Sequence, residues 1–193
     1  KGQLQRQRKL LADLQSDLRS LASLVDVAIE RSLGALERLD RAAADAVIQS
    51  DRAINELRFA TEDRAIHLIA TQQPIASDLR LIIAVLNVVV ELERMGDYCA
   101  GIARVVLLHE GRPLLKPLVD VPRMATVVRE LLRDAVDAFI ARDAEAAARV
   151  AGRDDEVDVL YEQVYRELLT FMLNDPRTID RATWLIWVAQ PVT

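Results

Sequence analysis

Apolar residues recur at intervals of three, four and seven over most of this chain of 193 residues. From about Leu10 to Leu39 this spacing predicts an amphipathic helix. A second helix is predicted over about 42–71, and it ends at Gln73-Pro74 because proline disfavours helical geometry in the residue before it. A third long helix contains the stretch 81–108, and Asp78 lies in its first turn, where a negative charge complements the helix dipole.

The pattern then begins again. The segment 111–122 contains one glycine and three prolines and is the clearest linker in the chain. After it, helices are predicted over about 123–141 and 143–173, and a further one starts near Ile179.

A shift of about 103 residues superimposes the second half of the chain on the first. It aligns Val25 with Val128, Asp40 with Asp143 and Asp51 with Asp154. We therefore predict an all-α fold of two tandem three-helix bundles, the second incomplete at its C-terminal end. The expected units are residues 1–112, a linker at 113–122, and residues 123–193.

Composition supports helices and excludes several functions. Hydrophobic residues make up 51 % of the chain but aromatics only 4 %, with six glycines and six prolines, too few turn residues for a sheet fold. Basic residues number 25 and acidic residues 30, and no basic patch interleaved with aromatics appears, so nucleic-acid binding is not expected. The single cysteine, Cys99, excludes an internal disulfide. The longest apolar run is about half the roughly 20 residues that span a bilayer, and no signal peptide is visible.

Two carboxylates interrupt the third helix. On a heptad count, Leu86 and Glu93 share one line, and Val90 and Asp97 share the next. Both acids are expected to point toward the core, where an uncompensated charge is costly. Oxygen ligands one helical turn apart suit a metal ion. The alternative is a buried ion-pair network in which Arg94 or Arg104 is the partner of the acids.

A second polar pair lies in the preceding helix. Asp51 and Asn55 are four residues apart, and the repeat matches them with Asp154 and Asp158. Each pair lies at the edge of an apolar line. The alternative to a binding role is that these residues only form the polar border of the buried face of an amphipathic helix. If the second and third helices are antiparallel, Asp51 lies level with the acids of the third helix. All six positions are therefore candidate metal ligands: Glu93, Asp97, Asp51, Asn55, Asp154 and Asp158.

The remaining polar residues give weaker signals. His67 is expected at the surface, and His109 near the negative end of the third helix dipole. Cys99 reads as a small packing residue. Trp184 and Trp187 are expected in the core or exposed beside it. No nucleophile–base arrangement and no phosphate-binding glycine loop is visible, so the chain is not expected to be an enzyme.

Three stretches together resemble the PhoU family, regulators of phosphate uptake. They are Asp51–Asn55, Gln73–Arg80 with its Gln-Pro and Asp-Leu-Arg elements, and Glu91–Asp97 with Ile102-Ala103 after it. They occur in the family's order and spacing, and the two-repeat layout agrees. The resemblance extends from about Leu10 to Ala189.

The resemblance implies two repeats of three helices whose E(D)xxxD motifs bind multinuclear iron or zinc clusters. Glu93 and Asp97 match that motif, whereas the second copy would fall just after Thr193. It also implies a cytoplasmic, often dimeric, negative regulator of the phosphate regulon. Such a protein contacts the ATPase subunit of the phosphate ABC transporter and a sensor histidine kinase, and meets the membrane only through them. The rival hypotheses are a carboxylate-bridged di-metal enzyme and a metal-free helical scaffold.

Overall fold

The computed structural model describes residues 2–190, and the side chains of residues 5–190. Across that range it contains helices and turns and no strand, so the all-α prediction is confirmed. Seven α-helices and one short 3-10 helix follow one another along the chain: α1 Gly2–Arg38, α2 Arg41–Gln72, α3 Ala76–Leu108, α4 Asp120–Ala141, α5 Ala144–Ala151, α6 Asp154–Asn174, the 3-10 helix Pro176–Thr178, and α7 Ile179–Ala189.

The same cap chemistry begins the second helix of each half. The Asp40 carboxylate accepts a hydrogen bond from the backbone N–H of Ala43 at 3.0 Å and begins α2. Asp143 accepts one from Ala146 at 2.9 Å and begins α5. An aspartate at this position satisfies a backbone donor that the first helical turn leaves free. The internal repeat therefore extends to the details of local structure.

Helices α1, α2 and α3 pack around one core. Its members are aliphatic side chains that are at most 3 % exposed: Leu18, Leu21, Val25, Leu36, Val47, Ile54, Leu68, Ile82, Val85, Val89 and Leu92. Burying a Leu, Ile or Val side chain contributes about 1.5–3 kcal/mol each, so this core holds α2 and α3 side by side along their length.

The second half departs from the predicted pattern at one place. The helix expected over 143–173 is divided at Gly152 and Arg153, so that prediction is wrong. A glycine inside a helix is about 1 kcal/mol less favourable than alanine. The Arg153 guanidinium is also paired with Glu156 at 2.9 Å and with Glu130 of α4 at 3.3 Å.

An ion pair joins the two halves between α1 and α4. The Arg129 guanidinium donates to both carboxylate oxygens of Asp26, at 2.8 and 2.9 Å. This hydrogen bonding lowers the pKa of Asp26 below its usual value. Two parallel charge-assisted bonds set the orientation of the pair as well as its energy. The assignment of residues 1–112 and 123–193 to separate units stays a prediction.

None of the helices within residues 2–190 combines the length and the apolar character that crossing a bilayer requires.

Candidate acidic site between helices α2 and α3

Helices α2 and α3 are in close contact at Gly96. A Cβ atom placed on Gly96 would lie 2.8 Å from Cδ1 of Ile54 and 3.4 Å from Oδ1 of Asp51. Because 2.8 Å is shorter than a carbon–carbon contact allows, only glycine fits here without a shift of Ile54. Asp51 is thereby brought beside Asp97, at the level expected for antiparallel helices.

The acids of α3 do not point into the core, and that prediction is wrong. The buried line of α3 runs instead through Val85, Val89, Leu92, Gly96 and Cys99. Glu93 is half-buried at the edge of this line, and Asp97 is exposed. The Asp97 line also carries two exposed apolar side chains, Ile83 and Val90. Asp51, Glu93 and Asp97 therefore lie along the outer edge of the contact between α2 and α3. This edge is called the seam.

The surroundings of Asp51 and Glu93 disfavour the charged forms of these two carboxylates. Burial, and then the neighbouring Asp97 carboxylate, raise the pKa of Asp51. The same two causes raise the pKa of Glu93. The Asn55 amide donates to Oδ2 of Asp51 at 3.0 Å. Oδ1 of Asp51 is buried and accepts no hydrogen bond. The seam thus has acceptor oxygens in excess of donors.

The proposed arginine partners do not neutralise these acids. Arg94 pairs with Glu91 at 3.5 Å, and neither Glu93 nor Asp97 forms a salt bridge within the described part of the chain. Arg104 lies near enough to lower the pKa of Asp51, but only against the larger effects of burial and Asp97. The buried ion-pair network that the sequence left open is therefore not formed.

Two further charged residues belong to the seam and were missed in the sequence. Arg58 and Glu62 form an ion pair at 3.0 Å, and both act on the pKa of Glu93, in opposite directions. They lie seven residues after Asp51 and Asn55, on the same lines of α2. That heptad spacing was the available signal.

The donor chemistry of the seam suits a cation. Carboxylate and amide oxygens are the ligands that hard and borderline metal ions take. The unpartnered Oδ1 of Asp51 is an acceptor that a cation would satisfy. No group of three or more His, Cys, Asp or Glu side chains in residues 5–190 is already arranged to hold a metal ion. The oxygens are present, but they do not converge on a preformed site.

The two acids of the second half lie elsewhere. Asp154 and Asp158 are exposed in the first two turns of α6. Asp154 lines an apolar groove of about 700 Å³ whose walls come from α1, α3, α4 and the α5–α7 segment. The structure does not join these two acids to the seam, and their role as ligands stays a prediction.

The histidines, the cysteine and the tryptophans occupy separate environments. His67 is exposed, as expected. His109 is fully buried, with Nδ1 2.9 Å from the Val105 carbonyl oxygen and its ring 5.2 Å from that of Trp184. Trp187 is 53 % exposed. Cys99 is buried as a packing residue, and burial raises its pKa to about 12.

A family model described as the PhoU domain matches the chain twice, over residues 18–106 and 121–191. The chain is 40 % identical over 182 residues to a phosphate-specific transport system accessory protein PhoU homolog of Aquifex aeolicus. The alignment covers 94 % of this chain and 82 % of that protein. It is 36 % identical to the homolog of Caulobacter vibrioides, covering 93 % of this chain and 79 % of that protein.

Solved structures agree with these matches. The crystal structure of PhoU from Pseudomonas aeruginosa superimposes with a TM-score of 0.88 at 34 % identity, over 94 % of this chain and 88 % of that one. The phosphate transport system regulatory protein PhoU from Streptococcus pneumoniae gives 0.84 at 30 % identity, over 93 % and 84 %. With the sequence motifs, the helical fold and these matches in agreement, the chain belongs to the PhoU family.

Proposed function

We propose that this protein regulates phosphate uptake as a non-enzymatic adaptor. In this role it contacts the ATPase subunit of a phosphate ABC transporter and a phosphate-sensing histidine kinase, and it restrains the phosphate regulon. It works in the cytoplasm, as a homodimer, and meets the membrane only through these partners. Family membership supports a role in phosphate transport, because the similar proteins are described as accessory or regulatory proteins of that system.

The observation that carries the proposal is the acidic seam between α2 and α3. Asp51, Glu93 and Asp97 lie together at a surface of the bundle, and neither of the α3 acids has an ion-pair partner in the described chain. Excess charge of one sign raises the free energy of the isolated protein and is relieved by a ligand of the opposite sign. The seam is therefore suited to regulated binding more than to packing.

We further propose that the seam binds a cation, iron or zinc. Asp51, Glu93, Asp97 and the amide oxygen of Asn55 would hold it, and the ion would supply positive charge where burial and neighbouring carboxylates raise the pKa of Asp51 and of Glu93. Asp154 and Asp158 are candidates for a separate site in the second half. The mutual proximity of Asp51 and Asp97 and the orphaned Oδ1 of Asp51 support the first site.

Co-purification tests the adaptor role. The tagged chain is expected to retain the transporter ATPase subunit and the sensor kinase when each is co-expressed with it. An excess of untagged chain should compete the retention away. If neither protein is retained, the adaptor proposal is wrong.

The cation proposal has its own test. The protein is purified without chelator, its metal content is determined by elemental analysis, and zinc and ferrous iron are titrated calorimetrically. Asp97→Asn should lower the bound metal at least tenfold, whereas Asp45→Asn, an exposed α2 residue away from the seam, should leave it unchanged. Equal metal content in both variants would show that Asp97 holds no cation, and the absence of bound metal from both variants and the wild type would favour the metal-free scaffold.

A further inference from the structure

Four large apolar side chains are exposed on the outer side of α2 and α3. Phe59 is 54 % exposed, Ile66 60 %, Ile83 47 % and Val90 36 %. Phe59 and Ile66 are seven residues apart in α2, and Ile83 and Val90 are seven residues apart in α3. Each pair therefore lies on one line of its helix. Since Asp51 and Ile54 both lie beside Gly96 and the helices are antiparallel, Phe59 lies within one helical turn of the level of Val90, and Ile66 within one turn of the level of Ile83. These four residues are called the apolar patch.

The patch takes no part in the core. Helix α1 packs on the other side of α2 and α3, where Ile54 and Val89 are at most 2 % exposed. The Phe59 side chain is nevertheless held in place, because the Arg58 guanidinium lies 4.7 Å from its ring centroid and is itself paired with Glu62. Several large apolar side chains exposed on one side of an ordered pair of helices mark an interaction site.

The size of the patch indicates what covers it. Seven residues of helix span about 10 Å, and packed helices lie about 8–10 Å apart, so the patch measures about 10 by 10 Å. Each partner in a stable protein dimer buries about 800 Å², several times this footprint. The width equals the diameter of one α-helix. The patch thus fits a single helix and is too small for a second copy of this chain.

The charge next to the patch indicates what one end of a bound helix must carry. Past Val90 the same line of α3 reaches Asp97, one further heptad along, with Glu93 and Asp51 beside it. Three cations lie near these carboxylates: Arg94 is engaged by Glu91, Arg58 is engaged by Glu62, and the effect of Arg104 on the pKa of Asp51 is smaller than the effects of burial and Asp97. A ligand that lies on the patch and continues along the seam must bring positive charge to the Asp97 end.

We propose that the patch and the seam together bind one amphipathic helix of a partner protein. The helix is about 14 residues long, the span from Ile83 to Asp97. Its apolar stripe lies on Phe59, Ile66, Ile83 and Val90, in the manner of helix-in-groove recognition. With no metal ion at the seam, lysine or arginine residues at one end of the helix face its carboxylates. This inference rests on the proposed adaptor role, because it names the kind of segment by which a partner docks.

Labelled peptides test the proposal by fluorescence anisotropy. The probe is an alanine-based helical peptide of about 16 residues, with leucines spaced three and four apart and three arginines in its last turn. A matched peptide carries three glutamates instead, and both are also made with reversed sequence. EDTA is present throughout, so that the outcome does not depend on whether the seam binds a metal.

The arginine peptide is expected to bind the protein at least tenfold more tightly than the glutamate peptide, which corresponds to about 1.4 kcal/mol. The double variant Phe59→Ser, Val90→Ser should weaken it at least tenfold. Leu173→Ser, which alters an 84 % exposed leucine of α6, should not. All substituted positions are exposed, and circular dichroism checks that each variant folds.

Equal binding of the two peptides, or of the double variant and the wild-type protein, would overturn the proposal. A dimer in sedimentation that the double variant abolishes would also overturn it, because the occupant would then be a second copy. If the ATPase subunit and the kinase co-purify equally with the double variant, the adaptor role stands and the docking surface is wrong. If neither co-purifies with the wild type while the peptides behave as expected, the adaptor role fails and the surface stands.

Discussion

The close approach of α2 and α3 at Gly96 allows a quantitative test with an internal control. Helix α3 contains a second glycine, Gly101, and an added Cβ there would meet no atom within 4 Å. The two positions share a helix and a backbone conformation but differ in the space around them. Substitution by alanine therefore separates helix propensity from packing.

Gly101→Ala should raise the free energy of unfolding by about 1 kcal/mol, the difference in helix propensity between the two residues. Gly96→Ala gains the same amount but drives its methyl group to 2.8 Å from Cδ1 and 3.1 Å from Cγ2 of Ile54. Relieving such a contact in a packed interface costs about 1–3 kcal/mol. Ile54 is 2 % exposed and has little room to turn. The net effect of Gly96→Ala on the free energy of unfolding should therefore lie between no change and a loss of about 2 kcal/mol.

Urea unfolding followed by far-UV circular dichroism measures both variants, and equal m-values are required for the comparison. The variants should differ by about 1–3 kcal/mol, or roughly 2–12 °C in Tm for a chain of this size. A Gly96→Ala protein as stable as Gly101→Ala would refute the packing argument. A shift of the helices should also separate Asp51 from Asp97, so cation affinity should fall for Gly96→Ala alone.

Three further outcomes follow from the charges and burial. Asp51→Asn should raise Tm at pH 7, because the raised pKa of Asp51 means that its ionised form destabilises the fold. The gain should disappear as the pH falls below about 3.8, where both proteins are neutral at this position, and a constant gain would contradict this. Asp26→Asn should lower stability at pH 7 by about 1.5–3 kcal/mol, since the Arg129 hydrogen bonds lower the pKa of Asp26. That loss should shrink in acid as the wild-type carboxyl protonates, whereas Asp45→Asn should have little effect at any pH. Cys99 should resist iodoacetamide in the native protein and react after denaturation, because it is buried with a pKa of about 12; mass spectrometry that finds rapid native labelling would contradict its burial.

The spacing of apolar residues and the positions of the prolines predicted where most helices lie. Pro74 follows the end of α2, as predicted, and the repeat that aligns Asp40 with Asp143 matches their shared role as caps in the structure. The break at Gly152 was not foreseen, because one glycine is tolerated in many helices. Here Arg153 also finds acceptors on α4, which are remote in sequence.

The sequence by itself determined the all-α fold, the repeat and the grouping of Asp51 with the acids of α3, because periodicity, caps and antiparallel connections are local properties. It could not determine which side of α3 is buried. Residues 81–90 are apolar except for Asn87, so several lines of this helix read as core. Only packing against α1 and α2 selected the line through Val85, Val89 and Gly96. That choice left Ile83, Val90 and Asp97 at the surface, because a helix with two neighbours buries only the sides that face them.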